Sequence, residues 1–124
     1  MTTPLAVSVR EHDGACVIVL VGELDKLSSP LLRDALTARF DRGASRVVLD
    51  VAGLRFCDST GLWVMLDFRR RAGEAGGCLR LAGATGVLER LLTLTGLTGV
   101  FPLDPDVPAA LRAAVPPSPV PKAD

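Results

Sequence analysis

Residues 54–66 read LRFCDSTGLWVML. Three small polar residues, Asp58, Ser59 and Thr60, interrupt an apolar passage and are followed by Gly61 and an apolar run. Such a break marks a helix beginning, because Asp, Ser and Thr offer side-chain oxygens to the unpaired N–H groups of a first helical turn. From residue 59 to about residue 72 the spacing predicts a helix. Leu62, Met65 and Leu66 share one face of it, and Val64 and Phe68 stand at i, i+4 on the next. Arg69, Arg70 and Arg71 close its end, where positive charge suits the dipole; they also read as a solvated helix end.

The segment before this stretch, RVVLDV (46–51), is β-branched and apolar, as a strand covered on both faces is. AGLRFC (52–57) reads as the loop beyond it. ACVIVLVG (15–22) is a second such strand, and LAVSVR (5–10) with the turn signal EHDG makes the two an antiparallel hairpin. GELDKL (22–27) reads as a loop leaving the second strand. Residues 28–43 predict a helix with Ser29 as its cap, Pro30 first and Gly43 ending it. Its inner face carries Leu32, Ala35, Leu36 and Phe40.

GGCLRLAG (76–83) gives a turn and a third buried strand. TGVLERLLTLTG (85–96) gives a helix with Leu88, Leu91 and Leu92 inward and Gly96 as its cap. GVFPLD (99–104) is a short edge strand, where Pro102 is tolerated, and VPAALRAA (107–114) is a last helix. The sequence VPPSPVPKAD holds four of the nine prolines, so residues 115–124 are expected to form a disordered or extended tail after a domain of residues 1–114. The order β-β-α-β-α-β-α-β-α implies a single α/β domain. Its mixed sheet has four to five strands, mostly parallel in the middle, with about four helices.

A chain of 124 residues buries an ordinary core without metals or disulfides. Fourteen basic residues balance fourteen acidic ones, so no global field draws nucleic acid or anionic lipid. Cys16, Cys57 and Cys78 are odd in number and form no C-x-x-C pair, which argues against a disulfide scaffold or a zinc site. Cys57 and Cys78 read as small buried hydrophobes. The expectation is a cytoplasmic protein with no signal peptide and no membrane span, since the longest apolar run is too short to cross a bilayer.

Little enzymatic apparatus is visible. The only histidine, His12, falls in the expected hairpin turn, and Cys57 stands where a G-x-S-x-G elbow needs glycine. Neither a phosphate-binding P-loop nor a G-x-G-x-x-G element occurs. Ser59 then reads either as a plain cap or as a hydroxyl acted upon. A phosphate there would add a charge of about −1.5 to −2 at the positive end of a helix, which tolerates it, beside Asp58, which repels it. If the GELD and CDSTG loops lie at the same end of the sheet, Asp25 comes near Ser59.

GELD at 22–25, the Ser-Pro helix start, VVLDVAGLRFCDSTGL at 47–62, GGCLRLAG at 76–83 and LLTLTGLTGVFPL at 91–103 occur in that order. Over about residues 5–114 the chain resembles a STAS domain of the bacterial anti-sigma factor antagonist family. The resemblance implies a protein without enzymatic activity that takes no cofactor. Unphosphorylated, it would bind an anti-sigma factor that is also a serine kinase and so free a sigma factor for RNA polymerase. The kinase would phosphorylate Ser59, and a metal-dependent serine phosphatase would reverse the mark. Asp58, Thr60 and Gly61 would frame the acceptor, and Asp25 would lie beside it in the docking surface. Thr60 is a second candidate acceptor, which the family pattern ranks after Ser59.

Trp63 stands where the family often has a small residue. It reads either as packing against the sheet or a loop or, if exposed, as an interface anchor. It could equally block a family-typical kinase. Two other functions compete: a STAS scaffold or sensor subunit without sigma-factor output, and a small enzyme or nucleotide-binding protein.

Overall fold

The computed structural model describes residues 3–12 and 14–115. Nine elements follow one another: β1 (Ala6–His12), β2 (Ala15–Leu24), α1 (Ser29–Asp41), β3 (Arg46–Cys57), α2 (Ser59–Glu74), β4 (Cys78–Ala82), α3 (Val87–Leu94), β5 (Leu103–Asp104) and α4 (Val107–Ala114). The α/β order is the one expected. The strands form one mixed sheet in the order β1-β2-β3-β4-β5, antiparallel between β1 and β2 and parallel thereafter. The proline-rich stretch lies outside the described residues beyond Val115.

The two sheet faces are covered unequally. Ile18, Leu20, Leu49 and Leu81 point to one side, where they pack with Leu32 and Leu36 of α1, Met65 and Phe68 of α2, and Leu88 and Leu92 of α3. Phe40 and Phe68 meet edge to face at 5.3 Å, joining α1 to α2. On the other side Val17, Val48 and Ala82 meet Ala110 and Ala114 of the short α4. That helix is capped by Asp106, whose carboxylate accepts the Ala109 N–H at 2.9 Å.

Several boundaries differ from the sequence expectation. AGLRFC is not a loop: β3 continues through it, and β2 continues through Glu23 and Leu24 to pair with it. Register shifts between Val19 and Val21 and between Gly22 and Glu23 let the ladder run on, turning Leu54 and Cys57 inward. His12 accordingly ends β1 rather than lying in the turn. Gly22 has φ +111, and a Cβ on it would meet the Pro4 carbonyl oxygen at 2.3 Å, so the N-terminal segment crosses β2 here only over glycine. The α1 cap is Ser28 rather than Ser29, and Ser29 is buried at the first helical position. Leu91 and Cys78 are only half-buried.

Candidate functional site

The parallel strands deliver β2 and β3 to the same end of the sheet, where open α/β sheets commonly place ligand contacts. β2 ends at Leu24 and β3 at Cys57. The Asp58 N–H donates to Leu24 O at 3.1 Å, so the turn after β2 and the start of α2 meet directly. The Asp58 side chain caps α2: its Oδ1 accepts the Thr60 N–H at 2.9 Å and the Gly61 N–H at 3.1 Å. Its Oδ2 accepts the Lys26 N–H at 3.2 Å from across the gap. A single carboxylate therefore closes the helix end and holds the β2–α1 turn.

Ser59 occupies the first position of α2 and is exposed; Thr60 is half-buried and Gly61 buried. The capping residue is Asp58, so the sequence expectation that the Ser59 hydroxyl faces unpaired amides is corrected: the Thr60 and Gly61 amides are already engaged. Gly61 has no room for a side chain, because Leu24 lies directly against it.

Asp25 organises the facing turn. Its Oδ1 accepts the Leu27 N–H at 3.0 Å and the Ser28 N–H at 2.9 Å. The Ser28 amide above all, with the Ser28 hydroxyl and the Leu27 amide, holds the Asp25 carboxyl below the usual carboxylate range against the opposing effect of desolvation. Ser28 Oγ in turn accepts the Asp25 N–H at 2.9 Å and donates to Glu23 O at 2.8 Å. Asp25 thus stands in the turn that Asp58 holds through the Lys26 amide. A cavity of about 240 Å³ opens beside this turn, walled by Leu5, Glu23, Asp25, Leu27 and Leu31.

Trp63, one turn along α2 from Ser59, is 69% exposed, so the reading of it as packed against the sheet or a loop fails. Sequence reasoning missed Leu27, which is 89% exposed at the tip of the turn, and Leu31, which is 51% exposed on the first turn of α1. The available signal was an apolar residue inside a turn otherwise made of Asp, Lys and Ser. Scattered exposed leucines are ordinary, but Leu27 stands beside Lys26, whose amide Asp58 holds.

Chemistry of other kinds finds little support at this end. Burial, with the neighbouring Asp58 charge, pushes the Cys57 thiol up to about 12, which leaves it protonated and inert. Among the described residues no group of three His, Cys, Asp or Glu side chains stands close enough to hold a metal ion. No helix of the described residues is long and apolar enough to cross a membrane. Two larger clefts, of about 420 and 500 Å³, lie at the opposite end of the parallel strands, around Arg42 and around Cys78.

Comparison with known proteins fits this geometry. The family described as "Mlab, STAS domain" matches residues 7–112. An anti-sigma-B factor antagonist of Bacillus subtilis is 33% identical over 97 residues, covering 77% of this chain and 86% of its own. An anti-sigma F factor antagonist of Paenibacillus polymyxa is 29% identical over 100 residues, covering 80% of this chain and 86% of its own. The crystal structure of an anti-sigma factor antagonist from Mycobacterium paratuberculosis superimposes with a TM-score of 0.82 at 28% identity, covering 92% of this chain and 98% of that one.

Proposed function

Starting from the fact that the chain belongs to the STAS-domain family of anti-sigma factor antagonists, we propose that it works by partner switching, with Ser59 as the switch. Unphosphorylated, it binds a serine-kinase anti-sigma factor in the cytoplasm and frees the sigma factor held there. The kinase brings its own ATP. The Ser59 Oγ–P bond forms as the γ-phosphoryl group leaves ADP, and the hydroxyl proton passes to a base supplied by the kinase. A metal-dependent phosphatase hydrolyses the ester and restores the hydroxyl. The chain contacts neither DNA nor membrane in this cycle.

The observation that carries the reading is the exposure of Ser59 at a helix start whose neighbours are fixed. A kinase needs a hydroxyl it can reach, and Thr60 is half-buried where Ser59 is open. Asp25, Asp58, Thr60 and Trp63 form the surrounding docking surface, with buried Gly61 setting the backbone beneath it, and Leu27 joins them. A phosphate charge of about −1.5 to −2 at its centre must lose water when a partner packs over it, and that cost ejects the partner.

The test is binding to the cognate kinase measured with and without ATP. Ser59→Ala should stay bound in both conditions. Ser59→Asp should bind at least about tenfold more weakly, a difference of about 1.4 kcal/mol. Equal affinity of the two variants, or native protein that never carries phosphate at Ser59 by mass spectrometry, removes the proposal.

A further inference from the structure

Asp58 serves two segments with one carboxylate. Oδ1 holds the Thr60 and Gly61 amides of α2, and Oδ2 holds the Lys26 amide of the β2–α1 turn at 3.2 Å. Leu27 follows Lys26 at the exposed tip of that turn. Asp25 holds the Leu27 and Ser28 amides independently, so the turn has its own internal frame and one side-chain tether to α2 through Asp58.

A phosphate on Ser59 would stand next to this carboxylate and seek the same donors. Amides at a helix start are the preferred partners of a phosphate, and those of Thr60 and Gly61 are the ones Asp58 occupies. Two adjacent anions repel one another, and a dianionic phosphate is the stronger competitor for two N–H groups. We propose that phosphorylation of Ser59 displaces Asp58 from the start of α2 and thereby releases Lys26, so that Asp58 is a positioning residue that transmits the charge to Leu27. The inference rests on the reading of Ser59 as phosphoacceptor. The docking surface then changes in two places at once: a charge appears at Ser59, and the Lys26–Leu27 tip loses its side-chain tether to α2 while the Asp58 N–H still holds the base of the turn at Leu24 O. A partner that grips Leu27 loses it together with the neutral Ser59.

The experiment uses the full chain with phosphoserine incorporated at position 59 during synthesis, without kinase, and follows amide exchange by NMR. Release of Lys26 should speed its exchange about tenfold, while Leu27 and Ser28, held by Asp25, stay within about twofold. Asp58→Asn separates release from a through-space field effect. Its amide oxygen still caps α2, but its NH2 group cannot accept from Lys26. Lys26 should exchange fast in that chain whether or not Ser59 is phosphorylated. Asp58→Ser, which caps but is too short to span the gap, replaces it if the Asn chain does not fold. Unchanged Lys26 exchange in the phosphoserine chain overturns the relay, as does an equal phosphate effect in the Asp58 variants. Neither result touches the proposed function, which falls instead if the kinase ignores Ser59.

Discussion

Gly61 and Leu24 share one space. A Cβ built on Gly61 would lie 2.5 Å from Leu24 Cγ and 2.7 Å from Leu24 Cδ2, and Leu24 is fully buried. The close approach lets the start of α2 sit against the end of β2, which in turn puts Asp58 within reach of Lys26. Gly61→Ala should therefore destabilise the fold by about 1–3 kcal/mol through overpacking, less up to about 1 kcal/mol returned by helix propensity. The melting temperature should fall by on the order of 5 °C. An unchanged melting temperature would mean that Leu24 repacks at no cost.

Trp63 and Leu27 expose large apolar surface and leave the core untouched. Trp63→Ala should change unfolding stability by no more than about 0.5 kcal/mol, as surface substitutions do. Binding to the proposed kinase partner should weaken by about 2 kcal/mol, roughly thirtyfold, as for an aromatic anchor. Leu27→Ala should act the same way with a smaller loss. Denaturant unfolding beside calorimetric titration separates the two effects; a Trp63 variant that loses stability instead of affinity places the indole in the fold rather than the interface.

The fold was legible because its signals are local and redundant. ACVIVLVG and RVVLDV can be little other than buried strands, and the β-branched runs alternate with helix-spaced leucines. What sequence could not supply was set by contacts between distant segments. AGLRFC alternates poorly because the register of β3 against β2 shifts, so its strand character exists only in the pairing with Val21–Leu24. Ser59 could be placed at a helix start, but whether its neighbouring amides were free depended on where the Asp58 carboxylate points. Leu27 was invisible for a related reason: its place at the tip goes with Asp58 holding the Lys26 amide and Asp25 holding the Leu27 amide.

β5 has only two residues, and an ion pair adds to the backbone hydrogen bonds that join it to β4. Arg80 Nε donates to Asp104 Oδ2 at 2.7 Å and Nη2 to Oδ1 at 3.1 Å, with the two side chains 22% and 10% exposed. The hydrogen bond to Asp104 raises the Arg80 pKa further, so the guanidinium keeps its charge. Asp104→Ala should cost about 2 kcal/mol, because a sheltered guanidinium loses a forked partner. The loss should be local as well: the Leu81 and Gly83 amides, which donate to Pro102 O and Asp104 O, should exchange faster while those of β2 do not. Uniform destabilisation without that signature would show that packing and the backbone ladder hold β5 without the ion pair.

Stability should fall on the alkaline side chiefly through two buried thiols, with half-buried Cys78, raised by partial burial, acting in the same direction. Burial first and the Glu11 charge second push Cys16 up to about 11, and burial with Asp58 pushes Cys57 up to about 12, from an ordinary value of 9.0. In the unfolded chain both thiols ionise near pH 9, while the folded chain keeps their protons. Above that pH the unfolded state binds fewer protons, so the slope of stability against pH is negative. The stabilisation is fully present below about pH 8, is drawn down from about pH 9, and is exhausted as pH passes 11 and then 12. The loss by pH 10.5 should be on the order of 1–2 kcal/mol for each thiol. Urea unfolding at pH 8 and pH 10.5 measures it, and Cys57→Ala should flatten the decline even though the variant starts less stable. Alkylation at pH 8 should reach half-buried Cys78 first. A flat profile, or Cys57 labelled in the folded chain at the rate of a free thiol, would show that water reaches the end of β3.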